Sequence, residues 1–144
     1  MRPSWESHWM REAYLAAEMS TCASGREVGA VAVRNNRSIV TGVNGVPTEV
    51  PHPLTCTRRD QNIPSGEALW LCGCIHAELN LICNAAREGV SLQNTTVYVT
   101  CHPCGLCAGA LANAGVTAVI FDGPYPNSNS VHLPSLTIRS QECE

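Results

Sequence analysis

Two short segments restrict this chain more than anything else in it: His76-Ala77-Glu78, and Pro103-Cys104-Gly105-Leu106-Cys107, with Cys104 following His76 by 28 residues. Each opens a stretch that reads as a helix. Residues 76–88 (HAELNLICNAARE) are stopped by Gly89, and the alanine-rich residues 104–114 are stopped by Gly115. Between them, Thr95–Thr100 (TTVYVT) is β-branched and reads as a strand. Cys104 and Cys107 are three apart, so on a first helical turn their sulfurs can converge on one ion. Pro103 suits the start of that helix. A helix N-terminus also favours thiolate over thiol. For His76 to join the two cysteines, the fold has to bring two helix starts together beside one strand.

Three protein ligands leave the fourth corner of a tetrahedron free, the pattern of a catalytic rather than a structural zinc. Two thiolates and a neutral imidazole cancel the charge of Zn²⁺, and zinc brings the pKa of a bound water towards neutrality. Glu78 lies two residues from His76, placed to reach such a water and shuttle its proton without being a fourth ligand. A lone C-x-x-C is shared by zinc knuckles and redox pairs, and H-A-E alone carries little information. Together they specify one site. A redox dithiol leaves His76 and Glu78 unexplained, and a zinc-stabilised binding module has no use for the carboxylate.

The rest of the chain reads as α/β. Residues 5–19 place Trp9, Tyr14, Leu15 and Met19 near helical spacing. Val28–Val33 is a short apolar strand, Asn35-Asn36 a turn and Ser38–Thr41 a second strand, together a hairpin. Residues 42–73 hold Pro47, Pro51, Pro53, Pro64 and the Asn44-Gly45 and Ser65-Gly66 turns. A loop of about 30 residues is too long to be idle and must be functional or pinned. Thr117–Phe121 is a further strand. Strands alternating with helices give a partly parallel sheet between helical layers. Residues 1–144 read as one domain, with no repeat or linker and no element assigned to the polar tail, about 127–144.

Composition narrows the chemistry. All nine basic residues are arginine, so Schiff-base lysines and a P-loop lysine are excluded, and a phosphate has to be held by arginine, amides or hydroxyls. A net charge of −3 speaks against a nucleic-acid backbone as partner. No apolar run approaches the roughly 18 residues of a membrane helix. Met1–Met10 carries Trp, Glu and His where a secretory signal would be apolar, so a cytoplasmic location is expected. Nine cysteines, an odd number clustered near histidines, suit metal binding better than disulfides.

H-x-E followed by P-C-x-x-C is the signature of zinc nucleobase deaminases, and the chain as a whole resembles the deoxycytidylate (dCMP) deaminases of the cytidine deaminase superfamily. The likeness runs from about Trp9 to Pro126. It includes Ser20-Thr21-Cys22, Arg26, Val28-Gly29-Ala30-Val31, Thr41-Gly42 with Asn44-Gly45, and Ile63-Pro64-Ser65-Gly66-Glu67. It continues through Cys72, Asn80, Gly89-Val90-Ser91-Leu92, Val97-Tyr98-Val99-Thr100, Asn113-Ala114-Gly115 and Tyr125-Pro126. The resemblance implies a three-layer α/β/α fold with a five-stranded mixed sheet and hydrolysis of dCMP to dUMP, the precursor of dTMP. It implies a homohexamer, with dCTP, aided by Mg²⁺, and dTTP as effectors.

His76, Cys104 and Cys107 match the zinc ligands and Glu78 the proton shuttle. Asn44 matches a nucleoside-binding asparagine. Arg26 and Ser65 are candidates for the phosphate, with Tyr125 beside them; the alternative for Arg26 is a solvated hairpin residue. Cys22, His52, Cys56 and Cys72 match positions where some relatives carry Cys and His away from the catalytic zinc. They form a second zinc site or four unrelated residues. Cys74, Cys83, Cys101 and Cys143 read as small apolar residues.

The chain departs from the family in three places. Val43 stands where the family often has tyrosine, Pro53 where a cysteine is frequent, and the tail lacks the usual final helix and strand. A 5-substituted substrate such as 5-methyl-dCMP is therefore an alternative, and a tRNA or single-stranded DNA substrate a more distant one.

Overall fold

The computed structural model describes residues 1–125 and 132–142. The chain runs α1 (Trp5–Ala17), β1 (Gly29–Arg34), β2 (Arg37–Val43), a short α2 (Thr57–Asp60), a 3₁₀ turn (Leu69–Leu71), α3 (Ala77–Glu88), β3 (Thr96–Cys101), α4 (Gly105–Asn113), β4 (Ala118–Gly123) and β5 (Thr137–Ser140). The strands form one mixed sheet in the order β2-β1-β3-β4-β5. β1 is antiparallel to β2 and β3, while β3, β4 and β5 are parallel.

The alternation of side chains along each strand divides the core in two. Val31, Val33, Tyr98 and Ile120 face α1 and bury Trp9, Met10 and Ala13. Ala30, Ala32, Val97, Val99 and Val119 face the other way, onto Ala77, Leu81, Ala85, Ala108 and Leu111 of α3 and α4. The result is the expected α/β/α sandwich. Gly42 lets α3 lie close on β2, since a Cβ there would stand 2.2 Å from the Ala77 carbonyl oxygen and 2.5 Å from the Leu81 nitrogen.

The tail is a correction to the sequence reading. Residues 137–140 form β5, the fifth strand, with Leu136 buried at its start. Four residues flanked by polar sequence give too short a period-2 signal to be read alone. A bidentate ion pair fastens this strand to α1: Arg139 Nη1 and Nη2 donate to Glu6 Oε1 and Oε2 at 3.0 and 2.6 Å. The hydrogen bond from Arg139 holds the Glu6 carboxyl below its usual value of 4.5. A depressed pKa contributes stability that is present above about pH 4.5 and is lost as pH falls through the folded value. Glu6→Gln is therefore expected to lower unfolding stability in urea at pH 7, by less than about 1 kcal/mol for a surface pair, with the gap to the wild type narrowing as pH falls through the folded value of Glu6.

The long loop is pinned, as its length demands. Gly45 and Ile75 exchange two backbone hydrogen bonds (3.1 and 2.8 Å) that close its neck. Inside it, Arg58 donates to the carbonyls of Glu67 (2.7 Å) and Pro64 (2.8 Å) and organises the turn after α2. Among the described residues, no helix is long and apolar enough to cross a membrane.

Candidate active site

α3 and α4 start side by side at one end of the sheet. His76 caps α3 with no side-chain cap bond, and Cys104 caps α4 with its sulfur accepting from the Cys107 N–H. The His76 Nδ1 lies 3.6 Å from Cys104 Sγ and 3.5 Å from Cys107 Sγ. Tetrahedral zinc, with bonds of 2.3 Å to sulfur and about 2.05 Å to nitrogen, sets sulfur and nitrogen about 3.6 Å apart. Both sulfur–nitrogen separations thus suit zinc, and all three donor atoms lie within 4.8 Å of one another. Within the cluster, the Cys107 thiol hydrogen-bonds Cys104 and holds its pKa down to about 4, helped by the Cys107 backbone N–H at 3.5 Å. Cys107 is pushed up in turn by the same hydrogen bond, and His76 is raised by its bond to Cys104.

Glu78 is 3% exposed, and burial pushes its carboxyl up to about 7. It faces, with His76 and Cys104, a cavity of about 350 Å³. That volume lies within the usual range for small-ligand sites, roughly 300–1,000 Å³.

Asn44, Arg26, Ser65 and Tyr125 all reach this cavity. Asn44 is buried and committed: its Oδ1 accepts from the Val28 N–H (2.9 Å) and the Ser20 hydroxyl (2.8 Å), and its Nδ2 donates to the Arg26 carbonyl (2.7 Å). Arg26 donates to the Ser65 hydroxyl (3.1 Å) and the Pro124 carbonyl (2.9 Å), so it is a fixed wall of the cavity and not a solvated hairpin residue. The Tyr125 ring lies between the two ends of the cavity, 6.3 Å from the His76 ring and 5.3 Å from the Arg26 guanidinium carbon. Val43 is not among the residues that line the cavity.

The second set of metal-type residues differs from the sequence expectation. The sulfurs of Cys22, Cys72 and Cys74 lie within 4.8 Å of one another, whereas neither Cys56 nor His52 joins them within that distance. Cys56 is buried in the cavity wall, and His52 is exposed outside it. Cys74 takes their place because it lies two residues from Cys72 in chain entering the bridge at Ile75, and residues two apart in extended chain share a side. Cys101 is a buried residue of the cavity wall and Cys83 is exposed; Cys143 lies outside the described residues. The sequence reading also passed over Arg58 and Arg59, which line the cavity from the long loop. Their adjacency in a lysine-free chain was the available signal.

Fold and site together define an α/β metalloprotein with a His-Cys-Cys ligand set. Residues 3–122 match the family described as the cytidine and deoxycytidylate deaminase zinc-binding region. The chain belongs to that family. A deoxycytidylate deaminase of Saccharomyces cerevisiae is 38% identical over 125 residues, which cover 87% of this chain and 39% of the relative, so the chain spans well under half of that protein. The deoxycytidylate deaminase of Mycobacterium phage D29 is 34% identical, over 83% of this chain and 95% of the relative. In fold, the chain is similar to the crystal structure of the dCMP deaminase from cyanophage S-TIM5 in complex with dCMP and dUMP, with a TM-score of 0.77, 23% identity and coverage of 97% and 98%.

Proposed function

We propose that this chain hydrolyses dCMP to dUMP and ammonia, with a zinc ion on His76, Cys104 and Cys107 and with Glu78 as the proton carrier. The observation that carries the reading is the donor triad at zinc separations with one buried carboxylate beside it, facing the same cavity. Zinc, when bound, supplies an acidified water. Glu78 moves the protons: to ring N3 as oxygen adds at C4, and then to the departing amino group. Water and cytosine become uracil and ammonia, with no redox change. Tyr125 and Asn44 shape the space for the nucleoside, Asn44 by holding the start of β1.

The test is a panel of substrates on zinc-loaded protein: dCMP, 5-methyl-dCMP, deoxycytidine, dCTP, a single-stranded oligonucleotide and tRNA. We expect dCMP to be turned over best. A 5-methyl-dCMP rate above that of dCMP, or activity confined to the polynucleotides, would overturn the substrate assignment.

The reading extends to a second zinc, on Cys22, Cys72 and Cys74. Cys22 and Cys72 have sulfurs 4.0 Å apart, against about 3.8 Å between two sulfurs on one tetrahedral zinc. Wild-type protein is expected to hold two zinc ions per chain, and Cys74→Ser one; equal metal content in the two proteins would remove the second site. It extends also to a homohexamer in the cytoplasm, activated by dCTP with Mg²⁺ and inhibited by dTTP. The eight described cysteines are free thiols, which suits a reducing compartment. Light scattering, and rates measured with each effector, test these terms.

A further inference from the structure

Three thiols gather in the cavity wall outside the His76–Cys104–Cys107 site. The sulfurs of Cys22, Cys72 and Cys74 lie within 4.8 Å of one another, and those of Cys22 and Cys72 are 4.0 Å apart. All three are half-buried and line the cavity, so a solute small enough to enter it reaches them, whereas Cys107 is buried. Among the described residues, no fourth metal-type side chain joins this group. A structural zinc is normally closed by four protein ligands, so these thiols stay open on the cavity side whether or not they hold an ion.

The backbone around them is loop on both sides. Cys22 opens the turn between α1 and β1, its carbonyl accepting from the Gly25 N–H (3.3 Å). Cys72 follows the 3₁₀ turn in extended chain, 50 residues further on. Both segments reach the active site. Cys74 precedes His76 by two residues. Beside Cys22, the Ser20 hydroxyl donates to Asn44 Oδ1 (2.8 Å), and the Thr21 hydroxyl accepts from the Val46 N–H (3.1 Å). Ser24 Oγ lies 3.1 Å from Cys22 Sγ and accepts from the Arg26 N–H (3.3 Å). Cys22 thus sits among the contacts that fix Asn44 and Arg26, both in the cavity wall.

We propose that Cys22 and Cys72 are a reversible thiol–disulfide pair, oxidised by hydrogen peroxide, whose closure distorts the active-site cavity and lowers activity. One thiol takes an oxygen atom from peroxide, becomes a sulfenic acid and releases water. The other thiol then displaces a second water and forms the disulfide. The two sulfurs lose two electrons, and peroxide is reduced to two waters. A disulfide sets its sulfurs about 2.05 Å apart, so about 2 Å of closure falls on the two loops. That movement draws the chain leading into His76 towards the anchors of Asn44 and Arg26. A zinc ion on the cluster loses two of its three donors. Cys74, beside the new bond, is the exchange partner through which an external dithiol restores the thiols. In a reducing compartment a disulfide of this kind is transient. The pair itself rests on the geometry of the cluster, and its effect on turnover rests on the deaminase reading.

The test treats zinc-loaded wild-type protein with hydrogen peroxide, alkylates the remaining thiols and maps linked peptides by mass spectrometry. We expect Cys22 joined to Cys72, with some Cys22–Cys74 product of exchange. In the same samples kcat/KM for dCMP should fall by about 10–100-fold, the scale on which a displacement of about 1 Å costs a site, and recover with dithiothreitol. Cys22→Ser, compared with its own untreated sample, should keep its kcat/KM under the same peroxide. Cys83→Ser, at an exposed position outside the cavity, should be inactivated as the wild type is. A Cys22 that stays free to alkylate overturns the proposal, as does a Cys22–Cys72 link that leaves kcat/KM unchanged. If Cys22→Ser does not fold, the wild-type map and its reversal by dithiothreitol decide.

Calorimetric titration with dUMP separates this outcome from a failure of the deaminase reading. Linked protein that binds dUMP more weakly, with affinity restored on reduction, supports the switch even if no turnover is seen. Equal dUMP affinity before and after linkage overturns it whatever the turnover.

Discussion

Replacing Glu78 by glutamine is expected to lower kcat on dCMP by about 10²–10⁴-fold, the range that positioned acid–base groups supply, while leaving the zinc content of the protein unchanged. The amide keeps the shape of the carboxylate but cannot take up and release a proton. Its burial, at 3% exposure, makes the neutral side chain easy to accommodate, so the fold should not suffer. Metal analysis beside steady-state kinetics reads both halves of the prediction. Turnover within a few-fold of wild type would remove Glu78 from the proton path. Loss of zinc would make it a support of the metal site instead.

Gly42→Ala is expected to be strongly destabilising for a single added methyl. The added carbon would meet the Ala77 carbonyl oxygen, the Leu81 nitrogen and the Leu81 Cβ at 2.2, 2.5 and 2.7 Å, and the first two are backbone of α3, with no rotamer to yield. Overpacking of this kind costs about 1–3 kcal/mol and occasionally more. At about 2–4 °C per kcal/mol for a chain of this size, Tm should fall by several degrees to roughly 10 °C. Because α3 carries Glu78 and starts at His76, its displacement should also lower kcat/KM for dCMP. Gly109→Ala is the control: a Cβ there meets nothing within 4 Å, and the position lies inside α4. Removing a helical glycine there should hold or raise Tm. Thermal melts of the two variants side by side check the pair, and equal Tm values would contradict the packing account.

Where the chemistry forces residue types and spacing together, the residues grouped from the sequence are ones the fold brings side by side. His76, Glu78, Cys104 and Cys107 were read as one site because a thiolate pair at a helix start and an H-x-E at another have no simpler common purpose. The short apolar strands rich in β-branched residues, β1 and β3, were equally plain, and their ends fell within a residue of those expected. In the folded sheet, alternation sets Val31 and Ala30 on opposite faces.

What could not be read was what depends on tertiary contact. β5 is a four-residue edge strand whose place is set by pairing with β4 and by the reach of Arg139 to Glu6 across the sheet. The third cysteine of the outer cluster was assigned to the wrong residues, because likeness to relatives favoured His52 and Cys56. The extended chain after Cys72 instead carries Cys74 back to Cys22. Arg58 and Arg59 were invisible as cavity residues, since only the folded loop turns α2 inwards over Gly25.

The central claim is hydrolytic removal of an amino group at the His76–Cys104–Cys107 site. Its most direct measurement is product analysis: zinc-loaded protein incubated with dCMP, with dUMP and ammonia quantified together, before and after chelation and after zinc is restored. We expect dUMP and ammonia in equal amounts, lost on chelation and recovered with zinc. Zinc-loaded protein that releases neither product from dCMP would contradict the account.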